Sequence, residues 1–180
     1  MRWFWIDHFT EFVSGTRAVA TKTVSLSEDY LHDHIPGFPY MAGPLVIEGF
    51  AQSGGLLVGE ASGFQERVVL AKVARAEFHE MARPGDTLTL KTTVEDIRPT
   101  GGIITGSCHI GDRLLTEVEL VFANLDDRFE GVDQFIPEEF LSMLRILRMY
   151  EVGRKPDGSP LDIPPHLLEA EELAERQMNG

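Results

Sequence analysis

The chain has 180 residues, of which 43% are hydrophobic and 25% charged, the composition of a globular protein with one full core. Its formal net charge of −13 would repel phosphate backbones and anionic lipid, so neither nucleic acid nor a membrane is an expected partner. Cys108 is the only cysteine, which excludes an internal disulfide and cysteine-cluster metal sites and reads as a small buried hydrophobe.

The N-terminal MRWFWID is too short in apolar residues for a secretory signal, which needs a run of ~7–15. The charge-poor stretch from Ile35 to Gly59 is broken by Pro36, Pro39, Pro44 and Glu48, so it does not fit a membrane span of ~20 apolar residues. A cytoplasmic protein is expected.

Trp3 to Ile6, aromatic and β-branched, predicts a first strand, and the alternating TRAVATKTVS from Thr16 to Ser25 a second. Ser27 to Gly43 is loop-like, with Pro36, Gly37 and Pro39 close together. Pro44 then suits the first turn of a helix, where its missing N–H would have had no partner. The residues after it are apolar on every side, which predicts a helix buried all round, with Gly49, Gly54 and Gly55 allowing close packing.

From Arg67 onward the period changes to two. Four segments, Arg67–Glu80, Asp86–Arg98, Gly101–Gly111 and Asp112–Leu125, alternate Val, Ile, Thr, Leu and Phe with polar residues. They are separated by the turn sequences PGD, PTGG and GD, so an antiparallel meander is expected. One helix against a curved antiparallel sheet is an α+β arrangement. After Asn124 the pattern breaks. Pro137 opens a helical spacing through Phe140, Leu144 and Leu147, and Pro164 to Gln177 reads as an acidic helix. Residues 126–180 hold thirteen acidic and six basic residues, a net −7. The expected organisation is one domain over residues 1–125 and a helical extension over 126–180 that covers sheet or subunit surface.

Glu48 is the only Asp, Glu, Lys or Arg between His34 and Gly59. A carboxylate inside an apolar helix persists when it is paired, protonated or functional. On this feature alone a structural Glu bonded to backbone or to Gln52, one turn on, stands beside a catalytic one. His32 and His34 flank Asp33, but no third ligand of clear spacing follows, so no metal site is expected.

The stretch His34 to Gln52, HIPGFPYMAGPLVIEGFAQ, resembles the signature of the bacterial 3-hydroxyacyl-(acyl-carrier-protein) dehydratases of the hot-dog fold. His34, Pro36, Gly37, Pro39, Met41, Gly43, Glu48, Ala51 and Gln52 all fall in that pattern's register, and the likeness extends over about residues 3–125. Ala42 replaces the usual proline, Pro44 stands where proline is unusual, and the N-terminus lacks the usual Arg-Tyr-Pro.

The resemblance implies a dehydratase that turns a 3-hydroxyacyl thioester into the trans-2-enoyl thioester, with no cofactor. It implies His34 as the base at C2, Glu48 as the acid at the departing hydroxyl, the Gly43 N–H as donor to the thioester carbonyl, and Gln52 as the group that orients Glu48. It also implies a homodimer, or a higher oligomer of dimers, in which His34 of one subunit faces Glu48 of the other. The substrate would arrive on acyl carrier protein or coenzyme A, and Arg67, Lys72, Arg75, Arg83 and Arg98 are candidates for a basic docking patch. A hot-dog thioesterase and a non-catalytic acyl-binding protein are the alternatives.

Overall fold

The computed structural model describes residues 4–125 and 135–178. Seven strands form one sheet in the order β3-β6-β5-β4-β2-β1-β7. In chain order the strands are β1 (His8–Val13), β2 (Arg17–Thr23), β3 (Val68–Phe78), β4 (Thr87–Arg98), β5 (Gly101–Ile110), β6 (Arg113–Asn124) and β7 (Gly153–Arg154). The helices are α1 (Tyr30–Asp33), α2 (Gly43–Glu60), α3 (Pro137–Ile146), α4 (Met149–Val152) and α5 (Pro165–Met178). All sheet pairings are antiparallel except that of β1 with β7. This is the α+β hot-dog arrangement, with α2 packed on one face of the sheet.

The meander from β3 to β6 follows the period-two pattern, and its tight turns fall where the glycines stand. Gly85 and Gly111 take φ of +94° and +58°, which a side chain would resist. On α2, a Cβ at Gly49 would lie 2.9 Å from Leu90 Cδ2 and 3.0 Å from the Trp5 carbonyl, so only glycine lets the helix seat this close to the sheet. Ser53, fully buried on the same helix, pairs its hydroxyl with that of Thr92 on β4 at 3.1 Å.

Two expectations fail. The predicted strand at Trp3–Ile6 is not one: Phe4 to Asp7 lie outside the sheet, and Trp3 lies outside the described residues. The first strand is β1, whose bulge between Phe9 and Glu11 puts Phe9 and Phe12, three apart, both into the core and so hides the alternation. Nor is α2 buried all round. Glu48, Ala51, Gln52 and Gly55 form a half-buried face of this helix.

The segment after residue 134 shares the main core, contributing Phe140, Leu141, Leu144, Leu147 and Met149 to it. It also covers the outer edge of β1. The Phe9 N–H donates to the Leu147 carbonyl at 2.9 Å, the Ser14 N–H to the Arg154 carbonyl at 2.9 Å, and β7 pairs with Phe12 and Val13. At the opposite edge, among the described residues, no strand pairs with the outer side of β3. Leu70, Val73 and Phe78 on it are 38%, 41% and 47% exposed, an unusual display for a strand edge.

Candidate active site

Glu48 sits in the second turn of α2 because Pro44 and the extended Ala42 start that helix only a few residues earlier. Its Oε1 accepts a hydrogen bond from Gln52 Nε2 at 3.1 Å. Gln52 Oε1 in turn accepts the Trp5 N–H at 2.9 Å, which ties the N-terminal segment to the helix and fixes which way the amide points. Gln52 is thus in hydrogen-bond contact with Glu48. The Trp5 anchor was hidden from sequence reasoning, since the contact joins residues 47 apart.

Glu48 and Gln52 line a cavity of about 840 Å³ whose floor is the half-buried face of α2 and whose walls include Phe4, Leu70 and Phe122. The size is that of a site for a small organic ligand. His34 and Gly43 are not among its lining residues. His34, at the end of α1, is exposed; its Nε2 lies 3.2 Å from the Tyr40 hydroxyl, and the two rings meet edge to face at 5.3 Å. Within one subunit, therefore, the described contacts do not join His34 to Glu48. Tyr40 is a neighbour that the sequence reading passed over, although it stands between two positions of the motif.

The loop that carries His34 is pinned from below. Lys22 on β2, 7% exposed, pairs with Glu28 at 2.5 Å and with Asp7 at 3.6 Å. Glu28 also accepts the Tyr30 hydroxyl at 2.6 Å, and burial together with this carboxylate holds the Tyr30 phenol above its usual range. Gly43 begins α2 beneath the ring of Phe78; a Cβ there would lie 2.8 Å from Cζ, so a larger residue would have to displace that exposed ring.

The five candidate cations differ in their surroundings. Arg75 pairs with Glu77 at 2.8 Å and Arg98 with Asp96 at 2.5 Å, so local carboxylates neutralise both. Arg67 lines the cavity, and Lys72 is exposed on the β3 edge. Only Arg83 borders the His34 loop, its guanidinium 4.9 Å from the centre of the Phe38 ring. Glu77, His79 and Glu117 form a cluster the sequence did not announce, with ligand atoms within 4.8 Å of one another, on the exposed side of β3 and β6. Its charges are already engaged, His79 with Glu117 at 3.1 Å and Glu77 with Arg75.

Residues 3–119 match the model of the FabA-like domain. A 3-hydroxyacyl-(acyl-carrier-protein) dehydratase FabZ from Chloroflexus aggregans is 38% identical over 124 residues, 67% of this chain and 85% of that protein. Its counterpart from Pelotomaculum thermopropionicum is 35% identical over 119 residues, 66% of this chain and 85% of that one. Among solved structures, the dehydratase heterocomplex ApeI:P from Xenorhabdus doucetiae superposes with a TM-score of 0.58 at 15% identity, covering 69% of this chain and 85% of that one. An acetyl-CoA-bound protein from Streptococcus mutans does so with 0.55 at 13% identity, covering 69% and 93%. At such identities the structural likeness is one of fold.

Proposed function

Because the chain belongs to the FabA-like family, we propose that it eliminates water from 3-hydroxyacyl thioesters with Glu48 as acid and His34 as base. The observation that carries this reading is Glu48 itself. It is the one ionisable Asp, Glu, Lys or Arg side chain of an otherwise charge-free stretch, half-buried against a cavity and oriented by Gln52.

The chemistry follows from these groups. The thioester carbonyl acidifies the C2 hydrogen, and the neutral imidazole of His34 removes it. Negative charge then develops on the carbonyl oxygen, where the Gly43 N–H at the positive end of the 18-residue α2 would meet it. Protonated Glu48 gives its proton to the C3 hydroxyl, which leaves as water, and the electron pair released at C2 closes the trans-2 double bond. His34 now holds the proton from C2 and Glu48 has given its own to the departing water, so passage of a proton from His34 to Glu48, directly or through solvent, resets the site.

His34 and Glu48 belong together in a two-fold dimer built on the open β3 edge, each site taking His34 from one subunit and Glu48 from the other. The exposed Leu70, Val73 and Phe78 support that pairing surface. Residues 1–125 form the catalytic unit in this scheme and 126–180 its extension. The substrate travels on acyl carrier protein in the cytoplasm, and Arg83 beside the His34 loop is the cation placed to meet an acidic carrier.

The test is an absorbance assay on 3-hydroxyacyl thioesters. A growing enoyl thioester signal without free thiol is the expected result, with trans-2 and no 3-cis isomer among the products. Release of free thiol instead would make the protein a thioesterase, and neither signal would leave it a binding protein.

A further inference from the structure

The cavity does not end with the motif that carries Glu48. It follows α2 past Gln52 and Leu56 to Gly59, and its opposite wall comes from the C-terminal segment, through Ile136, Phe140, Met143, Leu147 and Leu167. All five of these lie beyond residues 3–119, the part that matches the FabA-like model. Phe140, Leu147 and Leu167 are buried. Of the charged lining groups, Glu66, Glu139 and His166 are exposed and Glu48 and Arg67 half-buried; most of the other lining residues are apolar.

Aromatic rings join the two walls. Phe64, just after α2, meets Phe140 edge-on with centroids 5.0 Å apart, and Phe140 stacks on Phe135 at 4.3 Å. Phe64 takes φ +59°, a conformation bulky residues avoid, and its N–H donates to the Gly59 carbonyl at 2.8 Å. Such strain persists only where the surroundings fix it. The ring of Phe64 is thus held against the extension.

The dimensions name the occupant. From Glu48 to Gly59 the helical floor is about 16 Å long at about 1.5 Å per residue. An extended chain advances about 1.2 Å per bond, so this floor runs alongside about thirteen bonds, or about fourteen carbons. Gly55 is the gap in that floor: a Cβ there would have Phe122 Cε1 alone within 4 Å, at 3.5 Å. We infer that the C-terminal extension is the outer wall of an acyl-chain compartment leading from Glu48, and that it directs the enzyme to thioesters of about ten carbons or longer. The inference rests on Glu48 acting at the polar end of that compartment.

Met143→Trp fills the compartment from the extension, and Gly55→Leu fills it from the floor while improving helix propensity. Each is compared with the wild type on 3-hydroxybutyryl, 3-hydroxydecanoyl and 3-hydroxypalmitoyl pantetheine thioesters. In the wild type, kcat/KM should rise with chain length by up to about four-fold per buried methylene. Each variant should lower the decanoyl-to-butyryl ratio by at least about ten-fold. A wild type that favours butyryl, or a folded Met143→Trp with an unchanged ratio, overturns the inference.

If the wild type dehydrates none of the thioesters, the catalytic reading of Glu48 falls, and the compartment is then judged by binding. Saturated acyl pantetheines would displace a fluorescent fatty-acyl probe, decanoyl far better than butyryl in the wild type and at least about ten-fold less well in the variants. Equal displacement by both chain lengths overturns the inference.

Discussion

Gln52 bridges Trp5 and Glu48: its amide oxygen is held by the Trp5 N–H at 2.9 Å, so its nitrogen faces the Glu48 carboxylate at 3.1 Å. If Glu48 is the catalytic acid, a side chain held at both ends serves to position it. Gln52→Ala should lower kcat for dehydration about 10- to 100-fold, the effect of a misplaced catalytic group, with KM changing much less. A parallel fall in Tm without any loss of kcat would make its role structural only.

For the pair itself, His34→Ala and Glu48→Gln should each lower dehydration by at least about 100-fold, since each removes one proton-transfer partner. Exposed His34 supports no core, so the His34→Ala protein should keep the wild-type Tm. Turnover near the wild-type rate in either variant would remove that residue from the mechanism.

A site shared between two subunits would have its own signature. When inactive His34→Ala and Glu48→Ala proteins are unfolded together and refolded, about half the dimers are mixed, and each mixed dimer holds one site with both native residues. About a quarter of wild-type activity should return. If mixed dimers form and activity stays at background, the two residues do not meet across the interface.

Glu60, near the end of α2, tests the electrostatics of the fold away from the site. Burial raises its carboxyl above the ordinary range, more than the hydrogen bond from the Ser14 hydroxyl at 2.5 Å lowers it. A folded-state value above the unfolded one means that the native state binds this proton more tightly, so the group favours folding at low pH and loses that contribution as pH rises through its folded value. Glu60→Gln should therefore raise Tm at neutral pH, with the gain shrinking as the wild type becomes protonated in acid. A Tm difference independent of pH would refute this.

Cys108 is fully buried on β5, and burial pushes its thiol up to about 12. Thiol reagents react with the thiolate, so native protein at mildly alkaline pH should resist labelling and react in full only once unfolded. Rapid labelling of folded protein would contradict the buried position.

The sequence made β3 to β6 legible because alternation, turn residues and length agree there, and the elements fall within a few residues of the expected bounds. Strand β1 was not legible: its bulge replaces the period of two by a spacing of three between Phe9 and Phe12. Glu48 could be singled out because charge is absent around it, and Gln52 because it lies one turn away. The rest of the site depends on contacts between distant segments, such as Trp5 with Gln52 or Phe64 with Phe140, and no local pattern encodes those. Two of the candidate docking cations are paired with acids two residues away on their own strands, Arg75 with Glu77 and Arg98 with Asp96.

The two-residue strand β7 has a consequence for assembly. A sheet with two free margins can add copies at both ends and grow into a fibre, whereas one blocked margin limits edge-to-edge growth to a closed pair. Gly153 makes the blockade fit, because a Cβ there would lie 2.4 Å from the Met149 carbonyl. The segment that carries β7 thus caps the β1 margin, and a larger residue at position 153 would push against the Met149 carbonyl and loosen that cap.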